Sequence, residues 1–246
     1  MEIKILKDDK ELGKAAADLC AEILNEAIEK NGKARLILST GASQLSTLNE
    51  LIEKDVDWQK VEMFHLDEYI DLPESHPASF RKYLKERFVS KIPLGKAHFV
   101  VTEGDLQENI RKLSEEVTRE PIDLALIGIG ENAHIAFNDP PADFDTEEPY
   151  IVVELDEKCK NQQVREGWFP TIDDVPKKAV TMSAKQIMKS KVIVSCVPYK
   201  VKAQAVYDTL NNDVTNMIPA TILKTHDNYT LFLDEESASL LDKDNL

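Results

Sequence analysis

Between Glu11 and Lys30, apolar residues recur at helical spacing. Leu12, Ala15, Ala16, Leu19, Ile23 and Ala27 share one face, and Gly32 follows as a stop. This predicts an amphipathic helix packed on a larger apolar surface. The segment "ARLILS" (34–39) is a short, nearly continuous apolar run, the pattern of a strand buried on both faces. Runs at 61–66, 98–101, 122–130, 150–155, 191–197 and 229–234 predict further strands, and 79–88, 106–120 and 200–210 predict helices between them. Such alternation calls for an α/β fold: a doubly wound, mostly parallel sheet with helices on both faces, in a Rossmann-like three-layer arrangement. Ligands in these folds bind beyond the carboxyl ends of the strands. The longest non-periodic stretches, 131–149 and 156–178, are read as functional loops.

Four segments at or near these strand ends carry candidate chemistry. Ser39, Thr40, Gly41, Ala42 and Ser43 join a strand to a helix, so that backbone N–H groups and hydroxyls point past the strand end. The plainer reading is a serine-capped turn. In "FHLDEYIDLPESHPASF" (64–80), Asp67 and Glu68 close a buried-looking strand. A carboxylate there is either partly desolvated with a raised pKa, or an acid that caps a turn. His65 and His76 read as structural or surface residues. "GIGENAHIAFNDPP" (128–141) sets His134 among apolar neighbours, with glycines before it and a rigid exit through Asn138, Asp139 and two prolines. Taken alone, it is a core histidine. Lys202, near the start of a helix that follows a strand, is either a solvated charge or a partner for phosphate.

Composition narrows the classes of partner. With 246 residues, 42% of them hydrophobic, and no Pro/Gly/Ser-rich linker, the chain reads as one domain over 1–246. The opening "MEIKILKDDKELG" lacks the apolar core of a secretory signal, and no apolar run approaches the roughly 18 residues of a membrane span. A soluble, cytoplasmic protein with no membrane partner is expected. Cys20, Cys159 and Cys196 are too scattered for a disulfide framework or a zinc site, and read as reduced and mainly structural. A net charge of -15 opposes nucleic acid as a partner, yet leaves room for a small phosphorylated ligand held locally.

In order along the chain, "STGAS", "LDEYIDLPESHPAS" and "GIGENAHIAFNDP", followed by Lys202, resemble the glucosamine-6-phosphate deaminase/isomerase family, whose superfamily includes 6-phosphogluconolactonase. The resemblance runs from about residue 34 to 234, and "HIAFNDP" favours the deaminase branch. It implies the doubly wound α/β fold, hydrolase and isomerase chemistry on an amino-sugar phosphate, and a small phosphorylated sugar as substrate. Asp67 becomes the base that moves a proton between carbons 1 and 2 of the open sugar, and His134 the group that assists ring opening. Thr40, Gly41, Ala42, Ser43 and Lys202 become the phosphate cradle, with Ser39 and Glu68 beside the substrate. No metal and no organic cofactor is implied.

Asp67 and His134 are expected on adjacent strand ends, facing that cradle. Asn132 stands where the family has an acid that orients the histidine, so its amide carbonyl is expected to accept the imidazole N–H, with Glu131 as a source of charge. Asp139 replaces a glutamate and is expected to close the relay through a water or a small backbone shift. Arg165 lies out of register with the family's phosphate-binding arginine. A lactonase, an isomerase of another sugar phosphate, and a non-catalytic sugar-phosphate sensor are the alternatives. The helix face at 201–210 fits either a homo-oligomer contact or intrachain burial, and "EGWFP" (166–170), with Trp168 and Phe169, is read as a lid.

Overall fold

The computed structural model describes residues 1–242. Its strands are β1 (Glu2–Leu6), β2 (Ala34–Leu38), β3 (Val61–His65), β4 (Asp67–Tyr69), β5 (Lys96–His98), β6 (Leu124–Leu126), β7 (Tyr150–Glu154), β8 (Lys178–Met182), β9 (Val192–Val197) and β10 (Tyr229–Asp234). Seven of them form one sheet in the order β1-β10-β9-β6-β2-β3-β5, and every pairing in it is parallel. The helices are α1 (Asp9–Asn31), α2 (Leu45–Leu51), α3 (Phe80–Arg87), α4 (Leu106–Thr118), α5 (Glu157–Arg165), α6 (Ala184–Met188) and α7 (Ala203–Asn211).

The apolar runs in the central strands feed two cores. Along β2, Leu36 and Leu38 face one cluster and Ile37 the other, as the two-residue period of a strand requires. Helices α1, α2 and α3 cover the first face; α4, α6 and α7 cover the second. The result is the three-layer arrangement expected from the sequence. Helix α1 starts where the Asp8 carboxylate accepts from the amides of Lys10 and Glu11, and stops at left-handed Gly32, whose N–H returns to the Ile28 carbonyl. Helix α7 turns Ala205 and Val206 into the second core, so much of its apolar face is used within the chain.

Three elements differ from expectation. The strand at 150–155 lies outside the main sheet: β4, β8 and β7 form a separate antiparallel sheet. Val152 and Glu154 are exposed on β7, and an antiparallel sheet tolerates that one-sided burial where a parallel one does not. The stretch 156–178 is not all loop but holds α5. Its inward residues are Cys159, Gln162 and Gln163, so apolar periodicity could not reveal it. Edge strand β1 escaped notice because Glu2 and Lys4 interrupt its apolar residues, the composition by which edges avoid unwanted pairing.

Helices α1 and α2 meet closely at Gly13, where an added Cβ would stand 2.6 Å from the carbonyl carbon of Ser46. Gly13→Ala gains about 1 kcal/mol of helix propensity and loses about 1–3 kcal/mol to overpacking against backbone. We expect a net loss of stability, read as a lower urea midpoint with an unchanged slope.

Candidate active site

The carboxyl ends of β6, β2 and β3 open together into a cavity of about 230 Å³. Ser39 to Ser43 leave β2, Asp67 follows β3, and Gly128 to His134 follow β6. Asp67 and His134 are therefore not on adjacent strand ends: β2, with its loop, lies between them. The loop separates the two residues rather than facing them as a pair.

The β2 loop is built to keep its amides turned outward. Gly41 has φ of 102°, a left-handed value that favours glycine, and its carbonyl accepts from the Tyr83 hydroxyl at 2.9 Å. A tight turn over Ala42–Gln44 then leads into α2, and the first amides of such a turn have no partner within it. The Ser39 hydroxyl is buried and unpartnered among the described residues. Beneath the loop, fully buried Gln44 donates to the Cys196 carbonyl at 3.2 Å and the Ser43 hydroxyl at 3.1 Å. Its amide stands 3.2 Å from where a Cβ on Gly128 would be, so that glycine gives the loop its footing.

Lys202 reaches the same cavity from the turn before α7. Only 7% of it is exposed, and it has no ion-pair partner among the described residues. Burial lowers its pKa, opposed by the nearby carboxylates of Glu166 and Glu131 and reinforced by Arg165. Arg165 itself is exposed and ion-paired with Glu131, and it does not line the cavity. Glu131 is engaged in that pair, and no hydrogen bond joins its carboxylate to His134 among the described residues.

Adjacent acids have opposite fates. Asp67 faces the cavity, and its carboxyl has no hydrogen-bond partner among the described residues. Burial first, and the neighbouring Glu68 second, push its pKa well above the usual carboxylate range. Glu68, by contrast, is fully buried and turned away from the cavity. Its oxygens accept from the Ser79 hydroxyl and from the amides of Tyr69, Phe80 and Arg81 at 2.8–3.2 Å. The expected place of Glu68 beside the substrate is corrected: it caps the start of α3.

His134 sits in a turn whose flanking residues Ala133 and Ala136 both have left-handed φ, 62° and 52°. That path folds the imidazole back over Gly130, where an added Cβ would lie 2.2 Å from Nε2. Nδ1 lies 2.9 Å from Asp139 Oδ1, a direct contact with no water or backbone shift required. Asn132 donates from Nδ2 to the same carboxylate at 3.1 Å, while its carbonyl oxygen accepts the backbone N–H of His134. The expected bond from imidazole to Asn132 is thereby corrected: Asn132 positions the acid rather than replacing it. Burial tends to raise the Asp139 pKa, but the bonds from His134 and Asn132 and the amide of Asp156 outweigh it and hold the carboxyl low.

Sequence reasoning missed the wall opposite. Gln162 and Gln163 line the cavity from α5 and Glu166 from the cap that ends it, and Tyr199, at φ 81°, lines it from the turn after β9. Trp168 also reaches the cavity, its indole N–H donating to Glu166 at 3.1 Å. Phe169 does not belong to a lid: it is buried against the rings of Tyr69 and His76. His65 is a core residue, with burial and then the Arg81 charge lowering its pKa to about 3.

The doubly wound sheet thus gathers the Ser39–Ser43 loop, a buried lysine and an acid–imidazole pair at its carboxyl edge. The family model for glucosamine-6-phosphate isomerases/6-phosphogluconolactonase matches residues 7–232, and the chain belongs to that family. A glucosamine-6-phosphate deaminase of Thermoanaerobacter sp. (strain X514) is 36% identical over 100% of this chain and 97% of its own. One of Oenococcus oeni is 33% identical over 99% and 100%. A solved monomeric glucosamine-6-phosphate deaminase superposes with a TM-score of 0.89 at 32% identity, covering 98% of this chain and 100% of that one. A 6-phosphogluconolactonase from Shewanella baltica shares the fold, with a TM-score of 0.78 at 18% identity over 95% and 97%. No helix among the described residues is long and apolar enough to cross a membrane.

Glu68 yields a direct test of its structural role. Removing its side chain leaves three amides and a hydroxyl without an acceptor, each costing about 1–3 kcal/mol when buried. Glu68→Ala is expected to lose at least about 3 kcal/mol in chemical denaturation, and Glu68→Gln less, because its carbonyl oxygen still accepts.

Proposed function

We propose that this protein is a glucosamine-6-phosphate deaminase, converting glucosamine 6-phosphate and water to fructose 6-phosphate and ammonia. The observation that carries the reading is the arrangement of the unpartnered Asp67 carboxyl and the Asp139-bound His134 on either side of the β2 loop. Full-length relatives named for this activity, at 33–36% identity, support the deaminase over the lactonase, whose bearers share only the fold.

The amides of residues 40–43 and the Lys202 ammonium hold the phosphate. With Nδ1 held by Asp139, His134 carries a proton through Nε2 from the sugar's anomeric hydroxyl to its ring oxygen, and the ring opens. Asp67 then takes the proton from carbon 2 and returns it to carbon 1, while the carbon-1 oxygen takes a proton from the amine. The amine-bearing carbon becomes an imine, water adds to it, and ammonia leaves. Asp67 suits this role because burial raises its basicity towards that of a useful proton carrier. Asp139, kept ionised, stabilises the imidazole whenever it takes a second proton.

Asp67→Asn is expected to lower kcat for ammonia release by about a hundredfold to ten-thousandfold with little change in KM. Full turnover by this variant would end the assignment. Lys202→Met is expected to raise KM about ten- to hundredfold, the loss of a charged hydrogen bond worth about 1.5–3 kcal/mol.

The acid limb of kcat/KM should lie above the ordinary carboxylate range, because Asp67 must shed its proton to act. The same shift gives a stability test. The folded pKa of Asp67 exceeds its unfolded value, so its contribution to stability is fully present below the unfolded pKa and lost as pH rises through the folded one. Asp67→Asn should raise Tm at neutral pH and give no gain in acid.

A further inference from the structure

His134, Asp139 and Cys159 present a nitrogen, an oxygen and a sulfur that all lie within 4.8 Å of one another. We infer that these three residues form a binding site for a thiophilic divalent cation, with Zn²⁺ as the type, whose occupation halts the His134–Asp139 proton relay. Only the second half of that statement rests on the proposed deaminase reading.

The donor set selects the ion. Zinc takes imidazole nitrogen, thiolate and carboxylate at about 2.0–2.3 Å, and its ligands therefore stand within about 4 Å of each other. His134 Nδ1 and Asp139 Oδ1 already lie 2.9 Å apart, so closure needs only a small movement of the Cys159 side chain. A single carboxylate beside sulfur and nitrogen disfavours Mg²⁺ and Ca²⁺, which need several oxygens.

The surroundings hold the donors in place. Cys159 is fixed near the start of α5 by the Asp156 carboxylate, which accepts its backbone N–H at 2.6 Å. Asn132 holds Asp139 from the other side at 3.1 Å, as outer partners orient ligands in metal sites. Approach is open from two directions. His134 borders the catalytic cavity, and Asp139 borders a second cavity of about 440 Å³ that Asp143, Glu154 and Asp156 also line. That acidic vestibule draws cations towards the site. Cys20 and Cys196 offer no such alternative, being enclosed in the first hydrophobic core. Binding displaces the Cys159 thiol proton and the proton shared by Nδ1 and Asp139. The thiol proton passes to solvent, the Nδ1 proton is relocated to Nε2 so that the bound imidazole stays neutral, and nothing is oxidised or reduced.

The test is a Co²⁺ titration of the purified full chain, followed by visible and near-ultraviolet absorbance. The expected result is a sulfur-to-cobalt band that saturates at one ion per chain and is displaced by Zn²⁺. It should be absent from Cys159→Ala and from Cys159→Ser, the latter retaining the shape of the side chain should alanine disturb α5. His134→Ala should weaken the band's midpoint by more than about tenfold. No band in the native chain, or a band that persists in Cys159→Ser, overturns the site.

In parallel, Zn²⁺ should suppress ammonia release, a chelator should restore it, and Cys159→Ser should need at least about ten times more Zn²⁺. Equal sensitivity of the two proteins overturns the inference that occupation of this site halts the relay. Absence of ammonia release before any metal is added counts against the deaminase reading alone, since the cobalt band does not depend on it.

Discussion

Leu38 stands level with Leu126 on one side and with His65 on the other, and this parallel register decides where the reacting groups emerge. Parallel strands deliver their carboxyl ends to a single edge of the sheet. Because both faces of β2 are buried, Leu36, Ile37 and Leu38 are committed to the two cores and carry no chemistry. Polar function is displaced past the strand ends, into Ser39–Ser43, Asp67 and the turn around His134. The central place of β2 also puts the Ser39–Ser43 loop between Asp67 and His134. In the proposed function, a sugar held by its phosphate at that loop is thereby presented to both.

Three acids near this edge show how environment assigns roles to one functional group. Glu68 accepts four hydrogen bonds and closes a helix terminus. Asp139 is surrounded by donors and stays ionised beside His134. Asp67 is buried without donors and beside another acid, so its proton is held more tightly. The difference lies in neighbours that the fold brings from afar: Ser79 and Arg81 for one, Asn132 and Asp156 for another. It is also why Asp67 and Glu68, adjacent in sequence, are not two copies of one group.

The parts legible from sequence were those encoded locally. Helix α1 announced itself through apolar spacing and Gly32, and the central strands through dense apolar runs. The motif residues Thr40, Asp67, His134 and Lys202 were legible as candidates, and the fold brings them to one cavity. Contacts made across the chain were not legible. The run at 150–155 resembles a doubly buried strand, and only its partner β8 reveals that one side is open. Helix α5 was hidden because glutamines line its inner face, a polar face turned towards a cavity instead of a core. Asn132 was read as a substitute for an acid, whereas its amide spans the carboxylate and the backbone of His134, a geometry that no spacing rule contains.

The net charge of -15 and a phosphorylated substrate are reconciled by distance. Solvent and salt screen the exposed carboxylates outside the cavity lining over about 8–10 Å, so the repulsion from those acids is weak at the cavity. Lys202 acts at contact range from a buried position, where a charge is screened far less. Burial disfavours its ammonium and lowers its pKa, so in the proposed function an arriving phosphate offsets that cost. Arg165, whose charge also acts on Lys202, is ion-paired with Glu131. In the proposed function, a single desolvated lysine and the amides of a short turn thus provide local attraction inside a protein of net charge -15.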